Sequence, residues 1–355
     1  MRYKTLSEVG SYVSEKINVS KLRLENYIST ENMISNRGGI SLATKLPSVK
    51  TTTAFQKGDI LISNIRPSFK KIWLADKSGG CSNDVLVIRS DSNFSNRFLY
   101  YVLSSDTFFD YAVSTSKGTK MPRGDKSSIM KYTVPLFSLE EQELISDILK
   151  SYDEKIQLNK QINHHLEEIG TAIWQEKFRN KVPNGTLGDI ASISNGKRPP
   201  VKAAEPTYEE KIPILGASSV MGYTNQTLYH QKILVTGRVG THGIIQRYQD
   251  SCWPSDNTLV LQSNYYEFVY QILKNIDFTA MNRGSTQPLI TQTDLKKNKI
   301  YIPAANELAN FEIIVGTHMK QYERNNIEND ILSNLRNTLL PKLLSGELSI
   351  TQATK

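Results

Sequence analysis

Cysteine is scarce in this chain: the 355 residues hold two, Cys81 and Cys252, one in each half. A bridge would have to span the midpoint of the chain, so free thiols in a reducing, cytoplasmic setting are the expectation. The opening MRYKTLSEVG has no apolar signal core, and nowhere do about 18 apolar residues run together as a membrane-spanning helix requires. Catalytic signatures are missing as well. No G-x-x-x-x-G-K-[ST] phosphate loop occurs; Gly118 to Lys126 has the wrong spacing. The pairs Gly38-Gly39 and Gly79-Gly80 read as turn signals, and no His/Cys cluster has zinc spacing. The Asn/Asp-Pro-Pro-aromatic tetrapeptide of an amino-methyltransferase is absent. Glu209-Glu210-Lys211 holds a Glu-x-Lys fragment of a nuclease site without a nearby Pro-Asp partner, and His164-His165 falls on a helical segment as solvated residues. No catalytic centre, metal or cofactor is therefore expected.

What the chain does have is positive charge in particular places. The formal net charge is +8. Residues 1–138 carry 20 Lys/Arg against 11 Asp/Glu, and residues 181–304 carry 13 against 9. Residues 139–180 reverse this with 5 against 9, and residues 305–355 hold 5 against 6. Basic globular segments separated by mildly acidic ones point to a polyanion partner, nucleic acid first.

The chain is also written twice. SNDVLVI from Ser82 returns as SDNTLVL from Ser255, and KGTKMP from Lys117 returns as RGSTQP from Arg283. A strand-like run ending in Val134-Pro135 returns as one ending in Ile302-Pro303. A repeat of about half the chain is too long for a solenoid and indicates two copies of a domain-plus-helix unit, with approximate two-fold symmetry like that of duplex DNA. In the first copy, Asp59-Ile60-Leu61-Ile62 and Val85-Leu86-Val87-Ile88 predict strands, and residues 94–113 predict a helix packed on them. In the second, Ile233-Leu234-Val235 and Thr258-Leu259-Val260-Leu261 precede an amphipathic stretch with Phe268, Val269, Ile272 and Leu273.

Each copy ends in a long helical segment. Ser138-Leu139-Glu140-Glu141 is a capping box. After it Ile145, Ile148, Tyr152, Ile156, Asn159, Ile162, Leu166, Ile169 and Ile173 alternate at spacings of three and four, the pattern of a coiled-coil seam. The second seam runs Phe311, Ile314, His318, Tyr322, Asn325, Glu328, Leu332, Leu335 and Leu339; Asn306 is its candidate cap, and Pro341 and Gly346 mark its end. The expected division is a first domain over 1–137, a first helix over 138–180, a second domain over 181–304, a second helix over 305–345 and a tail over 346–355.

This order of parts resembles the specificity subunit of type I restriction–modification enzymes. The residues carrying the resemblance are Val134-Pro135, Glu141-Gln142, Ile145, Leu149, Asp153, Ile156, Asn159, Asn163, Leu166 and Glu167 in the first copy. In the second they are Ile302-Pro303, Glu307, Leu335, Leu339-Leu340-Pro341 and the run from Leu343 to Leu348. YVSEKI followed by NYISTENM is similar to the start of first target-recognition domains. The second copy departs in having Asn306-Glu307-Leu308 where the family has Glu-Gln, and in its more polar seam.

The resemblance implies an α+β fold: two globular mixed α/β target-recognition domains joined by a long antiparallel coiled-coil helix pair, pseudo-two-fold symmetric. It implies a non-catalytic protein that recognises bipartite double-stranded DNA, one half-site per domain, with the helices setting the spacer. Partners would be two methyltransferase subunits, which bind S-adenosylmethionine, and ATP-driven restriction/translocase subunits. A helix of roughly 35 residues is about 50 Å long, placing half-sites on the order of 10–15 base pairs apart. A free-standing two-headed DNA-binding regulator, an enzyme with an unrecognised site and a coiled-coil adaptor are the alternatives.

Candidate DNA contacts follow from charge beside glycine, which lets backbone approach phosphate. They are Lys117, Lys120, Arg123 and Lys126 in the first repeated loop and Arg283 in the second. Arg66, Lys70 and Lys71 follow a strand in the first copy, with Arg238 and His242 at the matching place in the second and Arg198 in Gly196-Lys197-Arg198-Pro199. Were the helices antiparallel about an axis through their midpoints, Asn159 and Asn325 would face each other and fix the register.

Overall fold

In the computed structural model the described residues are 2–281 and 289–349. They form two units, one of residues up to Leu158 together with those from Glu328 onward, the other of residues 159–327. Each unit holds half of each long helix. These helices are Leu139–Phe178, of 40 residues, and Ala305–Ser345, of 41. No helix among the described residues is long and apolar enough to cross a membrane.

The first unit is built on an antiparallel sheet in the order Gly10–Tyr12, Val85–Ser90, Ile60–Ser63, Ile72–Leu74. Its two central strands hold continuous apolar runs, Ile60 to Ile62 and Val85 to Ile88, as suits strands covered on both faces. One face carries helices Asn96–Ser104 and Asp106–Ser114, whose Phe98, Phe108 and Phe109 are fully buried with Ile60, Ile88 and Leu6. Burying such a side chain contributes about 1.5–3 kcal/mol. The single helix expected over 94–113 is thus two. Ser105 breaks it: its backbone is extended, and its hydroxyl accepts from Phe108 N at 3.2 Å while donating to Val102 O at 2.7 Å. The other face packs on a second sheet ordered Lys16–Asn18, Thr51–Phe55, Gly79–Cys81, Tyr27–Ile28. Gly79-Gly80 is therefore not a turn but a buried strand. A Cβ on Gly79 would lie 2.0 Å from Asn26 O, and one on Gly80 2.8 Å from Leu22 and Thr52, so strand packing demands the glycines. Strand Arg2–Thr5 pairs with Thr133–Leu136 and ties the ends of the globular part together.

The second unit repeats the main sheet as Ser192–Asn195, Thr258–Gln262, Ile233–Gly237, Gln246–Tyr248, backed by helix Tyr266–Asn275. A three-stranded sheet, Val220–Thr224, Ile212–Leu215, Trp253–Pro254, lies beside it, and Gly185–Thr186 pairs with Lys299–Ile300. Arg247 forms a two-pronged ion pair with Glu267 (2.6 and 2.7 Å) between the rings of Tyr266 and Tyr270. Cys81 and Cys252 are buried free thiols, each pushed up to about 12, first by burial, and so chemically quiet.

The capping box at Ser138 forms in both directions: Ser138 N donates to Glu141 Oε2 (2.8 Å) and Glu141 N to Ser138 Oγ (3.3 Å). The second helix is capped differently from expectation. Ala304, not Asn306, precedes it, and only the carboxylate half of a box is made, Ala304 N donating to Glu307 Oε2 at 3.1 Å. Nor does Pro341 end it. Proline lacks one donor but the helix continues through it to Ser345, where Gly346 turns the chain at φ +74°.

Within each unit the two helix segments run antiparallel. In the first, Ile145 and Leu149 share the core with Leu340 and Leu343, and Arg336 pairs with Asp153. In the second, Phe178 stacks edge-on against Phe311 at 5.7 Å, and Trp174 joins Val315 and Met319 in one cluster. The buried line follows the expected seam only in part: Ile145, Ile156, Asn159, Phe311 and Asn325 are buried as expected. Ile162, Ile169, Ile314 and Leu335 are exposed, whereas Asn163, Gly170, Val315, Met319 and Asn329 face inward. Gly170 packs tightly on the sister helix, since a Cβ there would lie 3.2 Å from Val315. Around Asn163 and Gly170 polar and small residues take the buried positions, and there apolar spacing traces a neighbouring stripe. The register shifts accordingly. Asn325 Nδ2 donates to Asn163 Oδ1 at 2.8 Å, one turn beyond the Asn159 expected as its partner; Asn163 in turn donates to Asn326 Oδ1 (2.8 Å) and Tyr322 O (3.2 Å). Asn159 itself is buried.

Candidate nucleic-acid interface

Two stretches of the first unit singled out by charge meet in the fold. The chain leaves the central strand Ile60–Ser63 into the segment 64–71, and the loop 117–126 lies against it. Gly124 N donates to Asn64 O at 3.0 Å and Arg66 N to Pro122 O at 2.8 Å, while Ile65 bridges Arg123. Lys117 and Arg123 exchange backbone bonds at 2.9 Å, closing the loop at its neck, and Gly118 turns it at φ +95°. Asp125 then caps a short helix, Lys126–Ile129.

The segment 66–70 is locally strained. Arg66 and Lys70, at either end of the helical turn Pro67–Phe69, both sit in the left-handed region at φ +50° and +49°. Asn36 and Arg37, at φ +54° and +61°, lie alongside, donating their backbone N–H groups to Phe69 O and Lys70 O at 2.9 Å. Each such non-glycine residue costs on the order of 1–3 kcal/mol. These four are the described non-glycine residues with positive φ.

The candidate cations differ in what holds them. Lys117 pairs with Asp125, Arg123 with Asp84 at 3.3 Å, and Lys70 shares Asp106 with Arg37. The Lys117 ammonium, with Ser127 and Ser128, holds the Asp125 carboxyl well below the usual range. Partial burial opposes ionisation of Asp106, but Lys70 and Arg37 outweigh it and its pKa is lowered too. Lys71 donates to Thr30 O at 2.7 Å, and burial lowers its pKa. Among the described residues, none pairs with the exposed side chains of Arg66, Lys120, Lys126 or Arg198. Arg66 lies over the ring of Phe69, 5.7 Å from its centroid, and Phe69 is 43% exposed.

The second unit repeats the loop pairing. Asn64 N donates to Asp84 O and Arg238 N to Asn257 O, both at 2.8 Å; Gly124 N donates to Asn64 O and Ile290 N to Arg238 O, both at 3.0 Å. Arg238 therefore corresponds to Asn64, and the structural counterpart of Arg66 is Gly240, left-handed at φ +80°. The sequence match of Arg238 to Arg66 is thus two residues off. Arg238 and His242 are partly buried rather than free. Among the described residues Arg238 Nε has no hydrogen-bond partner, and His242 Nδ1 lies 3.1 Å from Gly237 O. Arg198 sits in a loop pinned by Lys197 N to Pro254 O (2.9 Å) and Trp253 Nε1 to Lys197 O (2.7 Å). Arg283 lies outside the described residues.

Charge reasoning missed the carboxylates, since Asp84, Asp106 and Asp125 are each paired through the fold. It also missed Phe69, whose signal was an aromatic between cations in Arg66-Pro67-Ser68-Phe69-Lys70. His164 and His165 both reach Glu168 from an exposed helix face. No group of three His, Cys, Asp or Glu that could hold a metal occurs among the described residues.

Both halves of the chain match one family, described as Type I restriction modification DNA specificity domain, over residues 2–168 and 180–339. The chain is similar to the MjaIX type I restriction enzyme specificity subunit of Methanocaldococcus jannaschii, 23% identical over 379 residues covering 93% of this chain and 86% of that one. It is also similar to the HindI specificity subunit of Haemophilus influenzae, 27% identical over 183 residues, 49% of this chain and 40% of the relative. Among solved structures it shares its fold with a type I restriction-modification S subunit from M. genitalium, with a TM-score of 0.59, 18% identity and coverage of 97% and 96%.

Proposed function

The chain belongs to the family of type I restriction modification DNA specificity domains, and we propose that it is the non-catalytic DNA-recognition subunit of a type I restriction–modification complex. Residues 1–137 and 181–304 are then the two target-recognition domains, each reading half of a split sequence. The helices over 138–180 and 305–345 set the spacer, and 346–355 is a tail. The observation that carries this reading is the double family match. The strand-exit loop locked to a second loop by the same backbone bonds in each half supports it.

Partners are double-stranded DNA, methyltransferase subunits, two in number, and restriction/translocase subunits, in the cytoplasm. Apolar residues left exposed on the helices, Leu144, Leu158, Ile162, Ile169, Ile313, Ile327 and Ile331, support docking of methyltransferase helices there. Phosphate contacts come from Lys120, Lys126 and Arg198, with Lys117, Arg123, Lys70 and Lys71 contributing through their carboxylate- or carbonyl-bound side chains. Arg238, His242 and Arg283 serve the second half-site. Asn159, Asn163 and Asn325 hold the register.

The test is methylome sequencing of cells with and without the gene, together with purification of the tagged chain. A split methylated motif that disappears with the gene, and a copurifying methyltransferase, are expected. Methyl transfer by the isolated chain would overturn the reading.

A further inference from the structure

The strand-exit turn of the first unit carries an arginine where the same turn of the second unit carries glycine. The match rests on backbone bonds, not on sequence spacing. In each unit the residue two before this position accepts from the partner loop at 3.0 Å and donates to the sheet-end residue at 2.8 Å. The turn needs a left-handed residue: φ is +50° at Arg66 and +80° at Gly240. Glycine adopts that conformation freely and arginine does not. For folding alone, the second unit's choice is the better one.

The side chain held at this cost has no internal partner among the described residues. Neighbouring cations are otherwise engaged, Lys70 by Asp106, Lys71 by Thr30 O and Arg123 by Asp84. Arg66 alone in its segment keeps an unpaired guanidinium, and the half-exposed Phe69 ring lies beneath it at 5.7 Å. An aromatic platform restricts the plane of a guanidinium without consuming its N–H donors. Pro67 and the bond from Arg66 N to Pro122 O fix the backbone that presents it. A planar, unneutralised fork on an exposed side chain suits the paired acceptors of one base edge, guanine O6 and N7 in the major groove. A phosphate asks for charge only, which the looser Lys120 and Lys126 supply.

We infer that Arg66, oriented by Phe69, is a specificity-determining residue of the first unit and reads a guanine of its half-site, its strained backbone being kept for that contact. This rests on the proposed DNA-recognition function. The strain predicts an unusual combination of effects for Arg66→Gly: a more heat-resistant protein that recognises DNA less well. The complex with its methyltransferase subunits is prepared with the wild-type chain, Arg66→Gly and Arg66→Lys. Melting is followed by calorimetry, and the methylated motif of cells carrying each form is sequenced.

For Arg66→Gly the melting temperature of the first unit rises by about 1–4 °C, since the strain is relieved. One guanine position in one half-site loses its discrimination, a change of roughly ten- to hundred-fold. The other half-site is unchanged. Arg66→Lys relaxes the same position, because an ammonium cannot form the paired contact. A wild-type complex that methylates no split motif would defeat the DNA-recognition function itself. A wild-type motif retained intact by Arg66→Gly would defeat the present inference alone. Uniform weakening restored by Arg66→Lys would make Arg66 a phosphate contact and overturn base reading. A lower melting temperature in Arg66→Gly would overturn the strain argument.

Discussion

Replacing Glu312 by glutamine should stabilise the second unit at alkaline pH and do little at acid pH. Glu312 projects from the second long helix onto the start of helix Tyr266–Asn275, accepting from Phe268 N at 2.9 Å and Glu267 N at 3.2 Å. Burial pushes its carboxyl up to about 7, even though both backbone bonds act to lower it; the neighbouring Glu267 carboxylate also raises it. A carboxyl whose pKa is higher folded than unfolded binds protons preferentially in the folded state. The unfolded value is about 4.3, so wild-type stability falls as pH rises from there and levels off above about 7. At about 1.4 kcal/mol per unit, over about 2.7 units, the loss approaches 4 kcal/mol. Glutamine keeps an acceptor oxygen without the charge but serves two donors less well, which returns about 1 kcal/mol. The net gain at pH 8 is then about 3 kcal/mol, or roughly 6–12 °C in the unit's melting temperature. The first unit already has this arrangement, since Gln142 of the first long helix accepts from Ser95 N at 2.9 Å. Calorimetry of both proteins from pH 5 to 8 is the assay. Parallel pH profiles, or a less stable variant at pH 8, would refute the reasoning.

Arg247→Met should cost the second unit about 3–5 kcal/mol, because Glu267, 3% exposed, is left as a buried charge; chemical denaturation measures it, and a loss under 1 kcal/mol would show that Glu267 finds another partner. In the assembled complex, Lys120→Ala should shrink the log–log salt slope of DNA binding by about 0.9, and Lys117→Ala by clearly less because Asp125 already neutralises that ammonium; equal slopes for the two variants would contradict the pairing. The double change Asn163→Leu with Asn325→Leu removes the 2.8 Å amide bond from the seam and should leave thermal stability equal or higher while broadening the accepted spacer, read by binding to duplexes of graded spacer length; an unchanged spacer preference would mean that these amides do not set register.

How much of the fold was legible followed what each element does with its side chains. Ile60–Ser63, Val85–Ser90 and Ile233–Gly237 were readable because each holds an unbroken buried apolar run, Ile60 to Ile62, Val85 to Ile88 and Ile233 to Val235. The sheet of Lys16–Asn18, Thr51–Phe55, Gly79–Cys81 and Tyr27–Ile28 was not. Its strands are short, threonine-rich or glycine-bearing, and Gly79-Gly80 imitates a turn because close packing and tight turning both demand a missing Cβ. The helix pair was readable as a pair but not in register. Ile162 and Ile169 kept the heptad spacing while facing outward, and Asn163 and Gly170 took the buried positions. Periodicity reports where apolar residues recur, and on a helix with two apolar stripes it cannot say which one meets the sister helix.

The site shows the same division in sharper form. Charge found Arg66, Lys117 and Arg123, and the fold brings them to adjoining loops, because strand exits and the loops bonded to them gather at one end of the sheet. Charge could not rank them. Asp84 and Asp125, distant or near in sequence, neutralise Arg123 and Lys117, while Arg66 is left without a counter-charge among the described residues. Nor could the left-handed backbone at Arg66 be read, since arginine is not a residue that announces it. That conformation is imposed from outside the segment, by the Pro122 carbonyl that takes the Arg66 N–H and by the Asn36 and Arg37 N–H groups that bond Phe69 and Lys70. In a glycine the conformation would be evidence about the turn alone. In an arginine whose counterpart is Gly240, it becomes evidence about the side chain, because the turn could have been made without it.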